Sequence, residues 1–206
     1  MKSLLRKAEY EALGKLHIDG RILDVGGSKK SGYHELIGGE HTFLVGNIDE
    51  SYGIDVVFDA QKEWPVEAGS FDGVLFMNVL EHLYEHEAAV RGAARALKDR
   101  GIVAGVVPFM FNVHGSPNDY FRYTKAALER LFAGNGFVDI EVRELGSGAF
   151  SVIYHCLLGI MRQRWMARAV APIFVGCDRL LARIKPGNLM SAAYYPLGYY
   201  FQAKKG

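Results

Sequence analysis

Five stretches of this chain hold residue types whose spacing could do chemistry. Ile22-Leu-Asp-Val-Gly-Gly-Ser-Lys-Lys-Ser-Gly32 runs from a short apolar stretch into a glycine turn. Glycine lets the backbone approach a ligand closely. Turn amides at the start of a following helix favour an anionic group such as a carboxylate or pyrophosphate. Asp49, in Gly46-Asn-Ile-Asp49, follows the turn at about the 20-residue spacing that suits a carboxylate accepting from ribose hydroxyls, and Asn47 competes for that role. Asp59, in Phe58-Asp-Ala60, closes a third apolar run, where an acid would stand beside an adenine edge or serve as a turn or cap residue. Phe71-Asp-Gly-Val-Leu-Phe-Met-Asn-Val-Leu-Glu-His-Leu83 is the most specific segment. The stretch from Pro108 to Tyr123 gathers His114, Asn118, Asp119, Tyr120, Arg122 and Tyr123, a set suited to fixing a substrate hydroxyl or anion. His114 has the right unperturbed pKa class for a general base, with Asp119 beside it.

His82-Leu-Tyr-Glu-His86 also spells an inverted zinc-protease motif, His-x-x-Glu-His, with both histidines on one face of a continuous helix. A zinc site needs at least three protein ligands. No third ligand in a helical setting is evident, so no metal is expected.

The elements that must position these residues alternate. Residues 3–17 read as an amphipathic helix through Leu4, Leu5, Tyr10, Leu13 and Leu16. Strands are expected at 21–25, 42–45, 55–58, 71–76, 101–107, 137–145 and 198–203. A helix should start between Gly32 and Ile37 and end at Gly38-Gly39, a long one should follow the fourth strand to about Lys98, and another should span 124–132. Most strands are short continuous apolar runs, as in a parallel sheet covered on both faces. Strands alternating with helices argue for an α/β doubly wound domain. Residues 146–196 interrupt the order as a basic, largely apolar insertion before the last strand.

Composition sets further limits. Over 206 residues, 24 basic groups nearly balance 23 acidic ones, so the chain is not a nucleic-acid-binding polycation. The charges are unevenly placed: residues 1–149 carry a net of −6, while residues 150–206 carry a net of +7 with Asp178 as their one acid. Such a split suggests that the C-terminal part meets an anionic partner. Cys156 and Cys177 are the only cysteines, which excludes a disulfide scaffold and a four-cysteine zinc site and makes a reducing cytosol the default compartment. The first residues do not read as a signal peptide, and no run of about 18 uncharged apolar residues marks a standard transmembrane helix.

The Leu-Asp-Val-Gly turn, Asp49, Asp59 and Phe71-Asp72 followed by Asn78-Val-Leu-Glu-His82 together resemble class I S-adenosylmethionine-dependent methyltransferases, closest to the small-molecule group with Val-Leu-Glu-His after strand four. Val107-Pro-Phe109, Asp119-Tyr-Phe-Arg-Tyr-Thr124 and Gly136-Phe137 look like the same group. The similarity covers about residues 20–145, and Gly198–Ala203 fits the family's last strand. The resemblance implies a Rossmann-like seven-stranded sheet with the last strand antiparallel, and S-adenosylmethionine as cofactor. It implies that Asp24, Gly26 and Gly27 lie near the cofactor's methionine part, that Asp49 is the ribose acid and Asp59 the adenine-side acid, and that Asn78 and Val79 belong to the strand-four lip. The chain departs from the family's Gly-x-Gly-x-Gly pattern, with Ser28 and Lys30 at the later positions.

The expected acceptor is a small molecule or a sugar- or lipid-linked group, not nucleic acid. The insertion has two apolar stretches, Ala149–Met161 and Trp165–Cys177, flanked or interrupted by Arg162, Arg164, Arg168, Arg179, Arg183 and Lys185. It suits a lid, a homodimer face, or a helix lying in a membrane interface, which would put the protein in the cytoplasm or at the inner face of a membrane. A non-catalytic cofactor-binding scaffold is an alternative. A nicotinamide-dependent oxidoreductase is another, but Gly-x-Gly-x-x-Gly and Tyr-x-x-x-Lys are absent.

Overall fold

The computed structural model describes residues 3–161 and 164–206. All seven expected strands form: β1 (Gly20–Val25), β2 (His41–Asn47), β3 (Val56–Val57), β4 (Phe71–Met77), β5 (Leu97–Pro108), β6 (Phe137–Leu145) and β7 (Gly198–Lys205). They make one sheet in the order β3-β2-β1-β4-β5-β7-β6. Strands β1 to β5 pair in parallel. Strand β7 lies between β5 and β6 and is antiparallel to both.

Alternate residues of the central strands point to opposite faces. Leu23, Val25, Phe76, Val103 and Phe201 pack with Trp64 and with helices α2 (His86–Ala96) and α3 (Lys125–Gly134). Ile22, Leu75, Ala104, Val106 and Tyr200 pack on the other side with Leu5 and Leu13 of α1 (Leu4–Leu13). Ser3 caps α1 by accepting from the Arg6 N–H at 3.0 Å.

Three expected helices are shortened, and the one read over residues 3–17 already ends at Leu13, before Leu16. The one expected between Gly32 and Ile37 is only a 3-10 turn, His34–Leu36. Gly38 already pairs with the chain after α1, through Ile18 N to Gly38 O at 3.0 Å and Gly38 N to Leu16 O at 2.9 Å. That pairing ends the segment at Gly38, and α1 supplies cover on this face. After β4 the chain makes a 3-10 turn at Leu80–His82 before α2 begins at His86. Helix α2 ends at Ala96 because Leu97, fully buried, pairs with Phe71 as the first residue of β5.

The insertion is helical, with α4 (Ala149–Leu157) packed on α5 (Arg164–Ile184). Asp178 of α5 accepts from the N–H groups of Phe150 and Ser151 at 3.0 and 2.9 Å and from the Ser151 hydroxyl at 2.7 Å. The one acid of this basic region is therefore buried at the N-terminus of α4, where a carboxylate satisfies orphan amides and favours the helix dipole. Arg162 and the side chain of Arg164 lie outside the described residues.

Candidate functional site

Two adjoining cavities sit at the carboxyl ends of the parallel strands and share Gly26 and Tyr52 as common walls. Ligands of open α/β sheets bind at this edge. One cavity, about 720 Å³, is lined by the glycine turn with Arg6, Tyr10, Lys30 and Tyr33. The other, about 530 Å³, is lined by Asn47, Asp49, Phe58, Asp59, Asn78, Val79 and His82.

The turn needs its glycines for close packing. Gly26 has φ +73°, and a Cβ there would lie 2.7 Å from Val79 Cγ2. A Cβ on Gly27 would lie 1.9 Å from Asp24 Oδ2. Asp24 lines neither cavity. Its carboxylate is fully buried behind the turn, 2.8 Å from the Tyr33 hydroxyl that donates to it and 2.7 Å from His34 Nε2. Burial pushes its pKa up. Ser28, where the family pattern has glycine, donates from its hydroxyl to the Tyr52 carbonyl at 2.8 Å and accepts from Lys30 N–H at 3.2 Å. The serine thus ties the turn to the segment after β2.

The structure separates Asn47 from Asp49. Asn47 Nδ2 donates to the Gly27 carbonyl at 2.9 Å, and its Oδ1 accepts from Asp49 N–H at 3.2 Å, so Asn47 braces the wall. Asp49 is exposed at the cavity lining, with one oxygen accepting from Ser51 N–H at 2.8 Å. That hydrogen bond holds its pKa below the usual carboxylate value. Asp59 lines the same cavity and accepts from Gln61 N–H at 2.9 Å. Asn78 has φ +55°, turning the chain sharply out of β4.

Sequence reading missed α1 as part of the site. Glu9, buried, occupies the position on the apolar stripe between Leu5 and Leu13 where a leucine would be expected. An acid at that helical position was the available signal. Glu9 pairs with Arg6 at 3.2 Å, and burial pushes its pKa up. The pair fixes Arg6 where it lines the larger cavity.

The loop after β5 closes over the strand-four turn. Tyr120 and Phe121 N–H groups donate to the Glu81 carbonyl at 2.8 and 3.2 Å, and the Tyr123 hydroxyl donates to the Leu80 carbonyl at 3.0 Å. Both oxygens of Asp119 face the Arg122 guanidinium, and one also accepts from His114 N–H at 2.8 Å. Arg122 holds the Asp119 carboxyl well below the usual range. A carboxylate held so low is a poor proton acceptor near neutral pH, and this one pins the loop. His114 is half-buried, 5.1 Å from the His82 ring and 5.5 Å from that of Phe111. Phe111 in turn stacks on His155 of α4 at 4.4 Å. Among the described residues, that stack is the insertion's approach to the site, and none of residues 146–196 lines either cavity.

His82 and His86 do not share a helix. His82 lies in the 3-10 turn, and His86 opens α2 against Phe121 and Tyr123. The residues brought together instead are Glu81, His82 and His114.

A sheet of this order, with its last strand reversed between β5 and β6 and its crevice at the glycine turn, is the class I S-adenosylmethionine-dependent methyltransferase fold. Residues 45–105 match the family model described as methyltransferase domain. A possible histamine N-methyltransferase from Thermotoga maritima is similar over 100% of this chain and 90% of its own, with TM-score 0.62 and 17% identity. Phosphoethanolamine N-methyltransferase 2 from Haemonchus contortus, solved with S-adenosyl-L-methionine, is similar over 97% of this chain, with TM-score 0.59 and 16% identity. The chain spans about half (51%) of that enzyme's length. The [4+2]-cyclase SpnF is similar over 97% of this chain and 81% of its own, with TM-score 0.60 and 16% identity. No curated protein matches the chain in sequence.

Proposed function

We propose that this protein transfers the methyl group of S-adenosylmethionine to a small-molecule, sugar-linked or lipid-linked acceptor. One observation carries the reading: the crevice joins a cation-bearing half, with Arg6 and Lys30, to an oxygen-rich half, with Asp49, Asp59 and Asn78, across a turn with no room for a Cβ at Gly26 or Gly27. That donor set fits a ligand with an amino-acid carboxylate at one end and a ribose diol and adenine at the other. Arg6 and Lys30 would hold the carboxylate, Asp49 the ribose and Asp59 the adenine side, while Gly26, Gly27 and Val79 shape the floor. When bound, the cofactor supplies an electrophilic methyl group. The chain then has to exclude water and aim an acceptor nucleophile in line, and positioning alone provides much of such an acceleration. His114 lines neither cavity; Asp119 accepts from its backbone N–H, and its ring stands 5.1 Å from that of His82 at the edge of the smaller one. Calorimetric titration with S-adenosylmethionine and S-adenosylhomocysteine, with NAD as control, tests the cofactor. Micromolar binding of the first two supports the reading, and no binding by folded protein rejects it.

The outer face of α5 favours a bilayer surface as partner over a lid or a second copy. Trp165, Ile173, Leu180 and Ile184 share one helical face and are 67%, 63%, 58% and 72% exposed. Arg168, Arg179 and Arg183 are exposed on the same helix, whose one acid, Asp178, is buried. An apolar stripe beside cations suits an anionic interface. No described helix is long and apolar enough to cross a membrane. This reading puts the protein at the inner, cytoplasmic face of a membrane. Co-sedimentation with anionic but not zwitterionic vesicles supports it. A monomer–dimer equilibrium with no vesicle binding favours the homodimer instead.

A further inference from the structure

Glu81 presents a problem that the methyltransferase fold does not solve. Its side chain is fully buried, and neither carboxylate oxygen has a hydrogen-bond partner. A carboxylate taken out of water without a donor or counter-charge is strongly unfavourable, so such groups are paired, protonated or bound to a metal. Arg122, which attracts its charge, spends its guanidinium on Asp119 and on the carbonyls of Phe121 and Asn112. Burial pushes the Glu81 carboxyl up to about 8, a measure of how poorly the surroundings receive its charge.

Two imidazoles stand beside it. His82 Nδ1 is 2.6 Å from the Asn118 carbonyl, which makes Nδ1 the protonated nitrogen and leaves a lone pair on Nε2, 3.7 Å from Glu81 Oε1. His114 Nδ1 is 3.2 Å from the Asn112 carbonyl and 3.5 Å from Asp119 Oδ2, so its lone pair is likewise on Nε2. Metal-binding histidines characteristically donate their other ring N–H to a carbonyl or carboxylate in this way, which fixes tautomer and ring orientation. One ligand atom from each of the three residues lies within 4.8 Å of the others.

We propose that Glu81, His82 and His114 bind a divalent transition-metal cation at the edge of the crevice. Two nitrogens and one oxygen suit Zn²⁺, Co²⁺, Fe²⁺ or Mn²⁺ better than Mg²⁺ or Ca²⁺, which prefer all-oxygen shells. Donors about 2.1 Å from a tetrahedral ion stand about 3.4 Å apart. The trio must therefore draw in by about an ångström, and His114, half-buried on a loop, is the member that can move. Three protein ligands leave a coordination position open. His82 also lines the smaller cavity, so the ion would border the space beside the cofactor pocket. There it would take an acceptor through oxygen and acidify a coordinated hydroxyl, whose proton leaves to solvent. His114 then acts as a ligand and not as a free base. This deepens the methyl-transfer reading and rests on it for the acceptor's role, but the ion site itself does not.

Chelator-stripped protein is titrated with Co²⁺, followed by its visible ligand-field bands, and with Zn²⁺ by calorimetry. S-adenosylhomocysteine is titrated in parallel. One equivalent of metal should bind, about tenfold or more weaker in His114→Ala and in Glu81→Gln, with S-adenosylhomocysteine affinity kept in His114→Ala. His86→Ala should bind metal as the parent does. Protein that binds S-adenosylhomocysteine but no stoichiometric metal overturns the site, as does metal binding indifferent to His114→Ala or abolished by His86→Ala. Should Glu81→Gln fail to fold, His114→Ala decides. Metal binding without S-adenosylhomocysteine binding upholds the ion site and rejects the cofactor reading.

Discussion

Gly27→Ala perturbs the crevice at its tightest point. The new Cβ would sit 1.9 Å from Asp24 Oδ2 and 2.3 Å from its carboxyl carbon. Asp24 is fully buried and held by Tyr33 and His34, so it can yield only by giving up those partners. Overpacking a rigid site costs about 1–3 kcal/mol. If the turn yields, the cost falls on ligand binding, about 5- to 150-fold in Kd at about 1.4 kcal/mol per tenfold. If Asp24 yields, it falls on stability, and at about 2–4 °C per kcal/mol for a chain of this size the midpoint drops by about 2–12 °C. Calorimetric titration with S-adenosylhomocysteine and thermal unfolding of the same sample read both outcomes. Gly134→Ala at the end of α3, where no atom lies within 4 Å of the new Cβ, is the control and should lose neither. A Gly27→Ala protein with parental affinity and midpoint would refute the reasoning.

Asp49→Ala should weaken S-adenosylhomocysteine binding at least several-fold, and unchanged affinity would remove Asp49 as the ribose acid. Arg6→Ala should weaken S-adenosylhomocysteine binding several-fold but leave adenosine binding as it was; equal losses for both would mean that Arg6 does not meet the amino-acid end. Arg122 holds Asp119 below its unfolded pKa of about 3.9. That stabilisation is complete above about pH 4 and is lost as pH falls below it toward the folded value. Arg122→Ala should lower the unfolding midpoint at neutral pH and flatten its acid slope, and parallel slopes for the two proteins would count against the pairing.

The fold was legible because its signals are local. Short apolar runs such as Val74–Met77 and Ile102–Val107 are long enough to mark buried parallel strands, and every strand fell within a few residues of its expected place. Glycine and proline marked the ends of several. The helix expected at Gly32–Ile37 failed for a non-local reason: Gly38 pairs back to Leu16 and Ile18, a contact between segments that local propensity cannot report.

The sequence by itself determined the alternation of strands and helices, the crevice-lining positions of Asp49, Asp59, Asn78 and Val79, and the basic character of the insertion. These depend on periodicity, on residue type, on short spacings that a single stretch of chain carries and, for Asn78 and Val79, on the resemblance to a known family. Tertiary structure decided which polar groups are spent on the scaffold. It turned Asp24 inward to Tyr33 and His34, set Asn47 to bracing the turn and locked Asp119 to Arg122. It brought Arg6 to the crevice from a helix that precedes the sheet, and it broke the His82–His86 pairing to set His82 and Glu81 against His114. The physical reason is common to all of these. A buried polar group must find its partners in space, and those partners come from whatever the fold packs beside it, at sequence separations that no local pattern encodes.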